Sequence, residues 1–489
     1  MKFEVVPIRD VDRLVETLKE TPWAMNDASA RYFRNYIEAL RPDLVCVIEF
    51  PYVDSVYRDS YYEYFASKHV AYSRDCVRIS LFEQEPDLDR LLTDEEYRSE
   101  IIKAYLGFFV VRPTKIRNIG RSVLAPRAMK NQNAVVCLAR YRALVHGLDV
   151  NVDSFPHSAQ DSESMSCAET SLWTIMEYFS AKYQEYRPAR SSSIRKALNS
   201  MSARRMVPSD GLSVAQLSYA LNQLGFGSVI YSRKDLEEQE KSLFKKLFHY
   251  YIESGIPVIV AATGGSQGHA WVAIGHATDR KNPDDLVAHG LWMDTADLCS
   301  DYVVMDDNRP PFSIMAFDHP LSYQGRELAS ASIDHFIVPL YPKIYLDAYR
   351  ARKLVFQLFE NTGLVGEKPE EPVFLRFFIT TARSFKAAFV RNSLPVELKR
   401  LVARLEMPKF IWVVEEASRK EYGQGNISGL MLLDATGDAS DQSLLFLLRS
   451  GRVGIRDRQG RWQAQELGET LIFRLYQNNL KGDWNNWRA

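Results

Sequence analysis

Cys167 lies where a polar loop, Pro156–Ser166, meets the first turn of an amphipathic helix. Free N–H groups and the positive end of the helix dipole meet at such a start. Both favour thiolate over thiol, and the thiolate is the nucleophile. A structural cysteine would more usually sit on the apolar stripe, beside Leu172 or Ile175. His269 stands in GGSQGHAW, after a glycine-rich segment (Thr263–Gly268) and at the opening of an apolar strand. Close approach through the glycines and a rigid strand behind the imidazole are what a general base for a thiol needs. Asp306-Asp307-Asn308 begins where the strand candidate Tyr302–Met305 stops, so a polar side chain emerges at the sheet edge. There it could accept from the second imidazole nitrogen and fix the tautomer. Asp306 is preferred because it follows the strand directly, with Asp307 and then Asn308 behind it. Gln160, seven residues before Cys167, carries an amide that could hold an oxyanion together with the Cys167 backbone N–H. Asp161 beside it cannot donate when ionised. Together these groups suit acyl chemistry through a thioester.

The elements that must hold them are readable from periodicity. After Cys167 a stripe of Leu172, Ile175, Met176 and Phe179 predicts one helix. Ser213–Leu224 is a second, with Val214, Leu217, Leu221 and Leu224 on one face and Gly225 placed to end it. Leu236–Ser254 is a third, stopped at Gly255-Ile256-Pro257. Strands are expected at Val145–Phe155, Pro257–Ala262, Ala270–Gly275 and Tyr302–Met305. Helices followed by strands give an α+β class, with helices on one side of an antiparallel sheet. The flanks read as mixed α/β regions. Residues 1–144 offer a helix at Ala28–Leu40, strands at Leu44–Phe50 and Tyr105–Arg112, and an aromatic cluster from Tyr52 to Tyr72 that reads as packing. Residues 345–489 offer helices at Leu346–Phe359 and Pro395–Leu405, then strands at Phe410–Glu415, Gly429–Leu433, Leu444–Leu448 and Val453–Arg456. The expected organisation is thus 1–144, 145–344 and 345–489. No Pro/Ser-rich linker separates the parts, so they are expected to pack together.

Composition limits the partners. With 489 residues, 46% apolar and 25% charged, the chain has material for more than one core. A net charge of −1 gives no sign of a nucleic-acid or membrane-surface partner. Cys46, Cys76, Cys137, Cys167 and Cys299 form no CxxC pair, which fits a reducing compartment. No secretory h-region opens the sequence, and no apolar run approaches the ~20 residues that cross a bilayer. A cytoplasmic protein is expected. There is no HExxH and no Cys/His set of metal-ligand spacing, and the glycines near His269 lack the lysine of a phosphate loop. No cofactor or metal is expected. His276, His289, His319 and His335 are scattered and read as surface or core residues.

In order along the chain come Gln160, Cys167 with CAETSLWTIMEYF, DGLSVAQLSYALNQLGF, SGIPVIVAATGGSQGHAWVAIGH and YVVMDDNRPPF. Over about residues 150–320 this resembles the papain-like cysteine peptidases, most closely the bacteriocin-processing peptidases that cut after double-glycine leaders. In such enzymes a glutamine precedes the cysteine, the histidine opens a strand, and an Asp or Asn begins the next. Ala168 stands where the family often has glycine, and Gln160 is one residue farther from the cysteine than is common. The resemblance implies a papain-like peptidase domain between two accessory regions. It also implies a cysteine protease or isopeptidase acting on an amide bond of a protein or peptide substrate. No attached transporter is expected, so the secretion role is not carried over. The alternatives are a transglutaminase-like acyltransferase and a non-catalytic binding protein on the same fold.

Overall fold

The computed structural model describes residues 2–482 except 21–24, 116, 131–132, 162, 202–210, 238–239, 265–266, 279–280, 289 and 324–330. The architecture is mixed α and β, with helices packed on sheets that are antiparallel almost throughout. Strands β1 (Lys2–Pro7), β2 (Val45–Tyr52), β3 (Cys76–Phe82), β4 (Tyr105–Val111) and β5 (Ile119–Leu124) form one sheet in that order. CVRISLF and YLGFFVV are buried along their whole length, as expected of strands covered on both faces. The helix Asp27–Glu38 lies on this sheet. Asn26 caps it by accepting from the Ser29 N–H, and Phe33, Tyr36 and Ile37 form its buried face.

Strand β6 (Ala134–Val136) leads to a hairpin of β7 (Ala139–Val145) and β8 (Leu148–Ser154). The single strand expected over 145–155 is therefore split. His146 and Gly147 both have positive φ, the conformation of a two-residue hairpin turn. Next come the helix Cys167–Lys182, the helix Val214–Gln223, β9 (Gly227–Ser232) and the helix Lys241–Glu253. They are followed by β10 (Val258–Gly264), β11 (Gln267–Ala277), β12 (Trp292–Asp294), β13 (Asp301–Met305), β14 (Ser313–Ala316) and β15 (Ser332–Leu340). The central sheet has the order β14-β13-β11-β10-β15-β9, and β6 joins it at Gly275–Ala277 of β11. Only glycine fits at 275, because a Cβ there would lie 2.0 Å from the Val135 carbonyl oxygen.

Alternate residues of β11 face two different cores, the period of two that a strand imposes. Ala270, Val272 and Ile274 join the helix Cys167–Lys182 and the N-terminal sheet in one apolar cluster. Trp271 and Ala273 join the helix Lys241–Glu253 and the C-terminal region in another. Strand β16 (Val373–Thr381) and β17 (Phe410–Ala417) continue through Gly429–Asp434, Leu444–Arg449, Arg452–Arg456 and Trp462–Glu466 as a third sheet.

Sheet membership crosses the boundaries expected at 144 and 344. Residues 134–136 and Lys481–Gly482 belong to the central sheet, and β12 pairs in parallel with β16 of the third. Backbone pairing to a distant edge leaves no local pattern. Among the described residues no helix is long and apolar enough to cross a membrane.

Candidate active site

Cys167 is the first residue of its helix. The loop before it is shaped by Asp161, whose Oδ1 accepts from the backbone N–H groups of Glu163, Ser164 and Met165. The chain then enters the helix at Ser166, whose backbone N–H and hydroxyl both donate to the Glu169 carboxylate. This capping arrangement sets the start of the helix at Cys167, where the first-turn N–H groups have no acceptor within the helix. Cys167 is half-buried; Cys46, Cys76, Cys137 and Cys299 are buried.

His269 is near the start of β11, directly opposite Ala262 of β10. The glycine-rich segment is less open than a loop. Thr263 and Gly264 continue β10, Gln267 and Gly268 belong to β11, and residues 265–266 lie outside the described ones. The imidazole is buried and rests 5.4 Å from the Trp271 ring. Its Nε2 lies 2.9 Å from Asp306 Oδ1, and the Cys167 side chain is close enough to the ring to raise its pKa. With Nε2 engaged by Asp306, Nδ1 is the nitrogen left to meet the thiol. Burial pulls the imidazole towards the neutral form. The charge and hydrogen bond of Asp306, the neighbouring Cys167 side chain and the charge of Asp307 outweigh this, and hold its pKa well above the usual imidazole range.

Asp306 directly follows β13. Its Oδ1 accepts from the Asn308 backbone N–H at 2.9 Å as well as meeting His269, and its Oδ2 accepts from the Tyr323 hydroxyl. Burial raises its pKa. The imidazole, Tyr323 and the Asn308 N–H lower it further, and the net result is below the ordinary carboxylate value. Asp307 stands differently. Its Oδ1 is 3.8 Å from His269 Nε2, and neither of its buried carboxylate oxygens has a hydrogen-bond donor. Geometry thus gives the imidazole bond to Asp306, not Asp307. Asn308 contributes a carboxamide 3.2 Å from Nε2. Gln160 donates to Asn308 Oδ1 at 3.3 Å, so it joins the group through Asn308 and not through a contact with Cys167.

Burial, opposed by His269 and reinforced by the charge of Asp306, pushes Asp307 up to about 7. The folded protein therefore keeps a proton there at pH values where the unfolded chain has released it. The stability this confers is complete in acid and is lost as pH rises from about 4 towards 7. The rise from 3.8 to about 7 corresponds to at most roughly 4 kcal/mol. Asp307→Asn removes the ionisation, so its melting temperature relative to wild type is expected to rise between about pH 5 and about pH 8. Thermal melts at both values measure this, and a difference that does not change with pH refutes the shifted carboxyl.

His269, Asp306 and Asp307 each offer a ligand atom within 4.8 Å of the others, close enough to hold a metal ion. A cation held by His269 Nε2 and Asp306 Oδ1 would have to displace the hydrogen bond between them. The donors already in place suit proton transfer better.

Two further residues were not legible in the sequence as part of this group. Tyr323 is distant in the chain, and nothing local marks it. His157 lies in the polar loop before Cys167; its fully buried Nε2 is 3.1 Å from the Asp306 carbonyl oxygen and 3.0 Å from that of Arg309. Of the four scattered histidines read from the sequence as surface or core residues, the three that are described are not part of this group. His276 is buried with its Nε2 3.2 Å from Glu253 Oε1, His319 is exposed, His335 is intermediate and His289 lies outside the described residues.

Comparison with protein-family models gives no match, and comparison with curated proteins finds no similar sequence.

Proposed function

We propose that this protein is a papain-like cysteine protease or isopeptidase. The observation that carries the reading is a single imidazole, His269, set between the side chain of a helix-start cysteine, near enough to raise its pKa, and a buried carboxylate 2.9 Å from its Nε2. The Cys167 thiolate attacks an amide carbonyl carbon, and the oxyanion forms beside the open N–H groups of the first helical turn. His269, protonated in the resting ion pair, gives its proton to the leaving amine as the C–N bond breaks, leaving a thioester. Neutral His269 then takes a proton from water, the hydroxide attacks the thioester, and the carboxylic acid departs as the thiolate is restored. Asp306 orients the ring throughout and stabilises its charged form. The peptide or isopeptide substrate follows from the resemblance to papain-like peptidases.

Chemical reactivity tests the reading without a known substrate. Iodoacetamide is expected to label Cys167 well before the other four cysteines. Burial raises the thiols of Cys46 and Cys76 well above their usual range and brings Cys137 to about 11. Mass spectrometry of a labelling time course reports the order, and labelling at Cys167 no faster than at the rest refutes a catalytic thiolate.

A further inference from the structure

His157 is tied to both halves of the site. Its backbone pairs with Ser122 of β5, N–H to carbonyl in both directions, at 2.8 and 2.9 Å. Its ring crosses to the turn that carries Asp306 and Asn308. Both ring contacts are to carbonyl oxygens, so Nε2 must carry the proton and donate to Asp306 and Arg309 together. Burial keeps this imidazole neutral, with its pKa lowered despite the two carbonyls. The turn is closed from within by the Arg309 N–H donating to the Asp306 carbonyl, at 3.0 Å. Gln160 also spans this gap, donating to Asn308 Oδ1 at 3.3 Å, but the two bonds from the buried His157 ring, at 3.1 and 3.0 Å, are the shorter tie between the turn and the loop leading to Cys167.

We infer that His157 is a positioning residue, the strut that sets the Asp306 turn against the Cys167 loop and so aims the carboxylate at His269. The inference rests on the proposed function and deepens it, because it makes the N-terminal sheet part of the machinery. Loss of the donor at 157 takes this partner from the Arg309 carbonyl and leaves the Asp306 carbonyl with the Arg309 N–H alone, a cost the turn relieves by shifting. Asp306 shifts with it, and His269 loses the interaction that keeps it protonated. The Cys167 thiolate then forms only at higher pH.

The test compares His157→Phe, His157→Gln and His157→Asn in the full-length protein, following the rate of Cys167 alkylation by iodoacetamide against pH. Gln places an amide N–H near the position of Nε2, and Asn falls short of it. In the Phe and Asn variants the rate near pH 6 is expected to drop at least about tenfold, the equivalent of one pKa unit. Near pH 9 it should converge on the wild-type rate, because an accessible cysteine is then largely thiolate even without a base beside it. Gln should restore the wild-type profile. Circular dichroism confirms that each variant is folded, and the Gln and Asn pair carries the comparison if Phe does not fold. A residue that only supports the fold would lower the melting temperature and leave the pH profile unmoved. An unmoved profile in folded Phe or Asn variants, or a Gln variant displaced as far as Asn, overturns the inference. A wild-type protein whose Cys167 shows no reactivity near pH 6 overturns the proposed function itself, which separates the two failures.

Discussion

Replacing Cys167 with alanine is expected to abolish turnover and to leave the melting temperature nearly unchanged. The residue is half-buried at the first position of its helix, and the Ser166–Glu169 cap that fixes the helix start does not involve its sulfur. Losing one sulfur atom there costs within about 1 kcal/mol, whereas losing the nucleophile removes the covalent route and on the order of 10⁴-fold or more in rate. His269→Ala is expected to match it in activity, since both the base and the acid for the leaving amine are gone. Asp306→Ala should cost less, on the order of 10²-fold, because the attacking pair remains. Asp307→Ala should cost less again, since its carboxylate makes no hydrogen bond to the imidazole. A general activity-based probe for cysteine hydrolases supplies the assay. A Cys167→Ala protein that unfolds would make the cysteine a packing residue, and a larger loss at Asp307 than at Asp306 would reverse their roles.

The largest effect on stability is expected far from this site, at Arg376. Its guanidinium reaches Glu253 Oε2 through Nη2 at 2.7 Å and through Nε at 3.1 Å, and Glu415 Oε2 through Nη1 at 2.7 Å. It also donates to the Tyr476 carbonyl at 2.8 Å. Glu253 Oε1 is in turn within 3.3 Å of His249 and 3.2 Å of His276. All of these side chains are buried. The cluster fastens the last residue of the helix Lys241–Glu253 to β16 and β17, and so joins the central region to the third sheet. Arg376→Leu is expected to lower the stability of that junction by about 3–5 kcal/mol, because two buried carboxylates lose their counter-charge. Burial weighs against the Glu253 charge, and Arg376, His249 and His276 hold its pKa well below the usual carboxylate value nonetheless. The stabilisation it gives is therefore present at neutral pH and fades as pH falls below the ordinary carboxylate range. The gap between variant and wild type should narrow accordingly in acid. Denaturant midpoints at neutral and acidic pH measure this, and a shift equivalent to less than about 1 kcal/mol at neutral pH would show that the cluster holds nothing together.

The sequence alone carried the parts whose causes are local. A stripe of Leu172, Ile175, Met176 and Phe179 forces a helix wherever it occurs, and the polar loop before it forces that helix to start near Cys167. The helices near 28–40, 213–224 and 346–359 and the strands at 302–305 and 410–415 are legible for the same reason: a period of 3.6 or 2 within one segment is a property of that segment. What tertiary structure decided was every matter settled by residues distant in the chain. Asp306 and Asp307 are equivalent by chemistry and adjacent in sequence; a bond to His269, a hydroxyl from Tyr323 and the hold of His157 on the turn single out the first. Gly275 is an ordinary strand glycine until β6 arrives from residues 134–136 and leaves no room for a Cβ. Arg376 reads as a charge interrupting an apolar strand until Glu253, 123 residues away, meets it. Local pattern fixes what a segment becomes, because backbone geometry repeats within it. The partner of a buried polar group is fixed only when chain closure brings the two together, since its desolvation must be offset there and nowhere earlier.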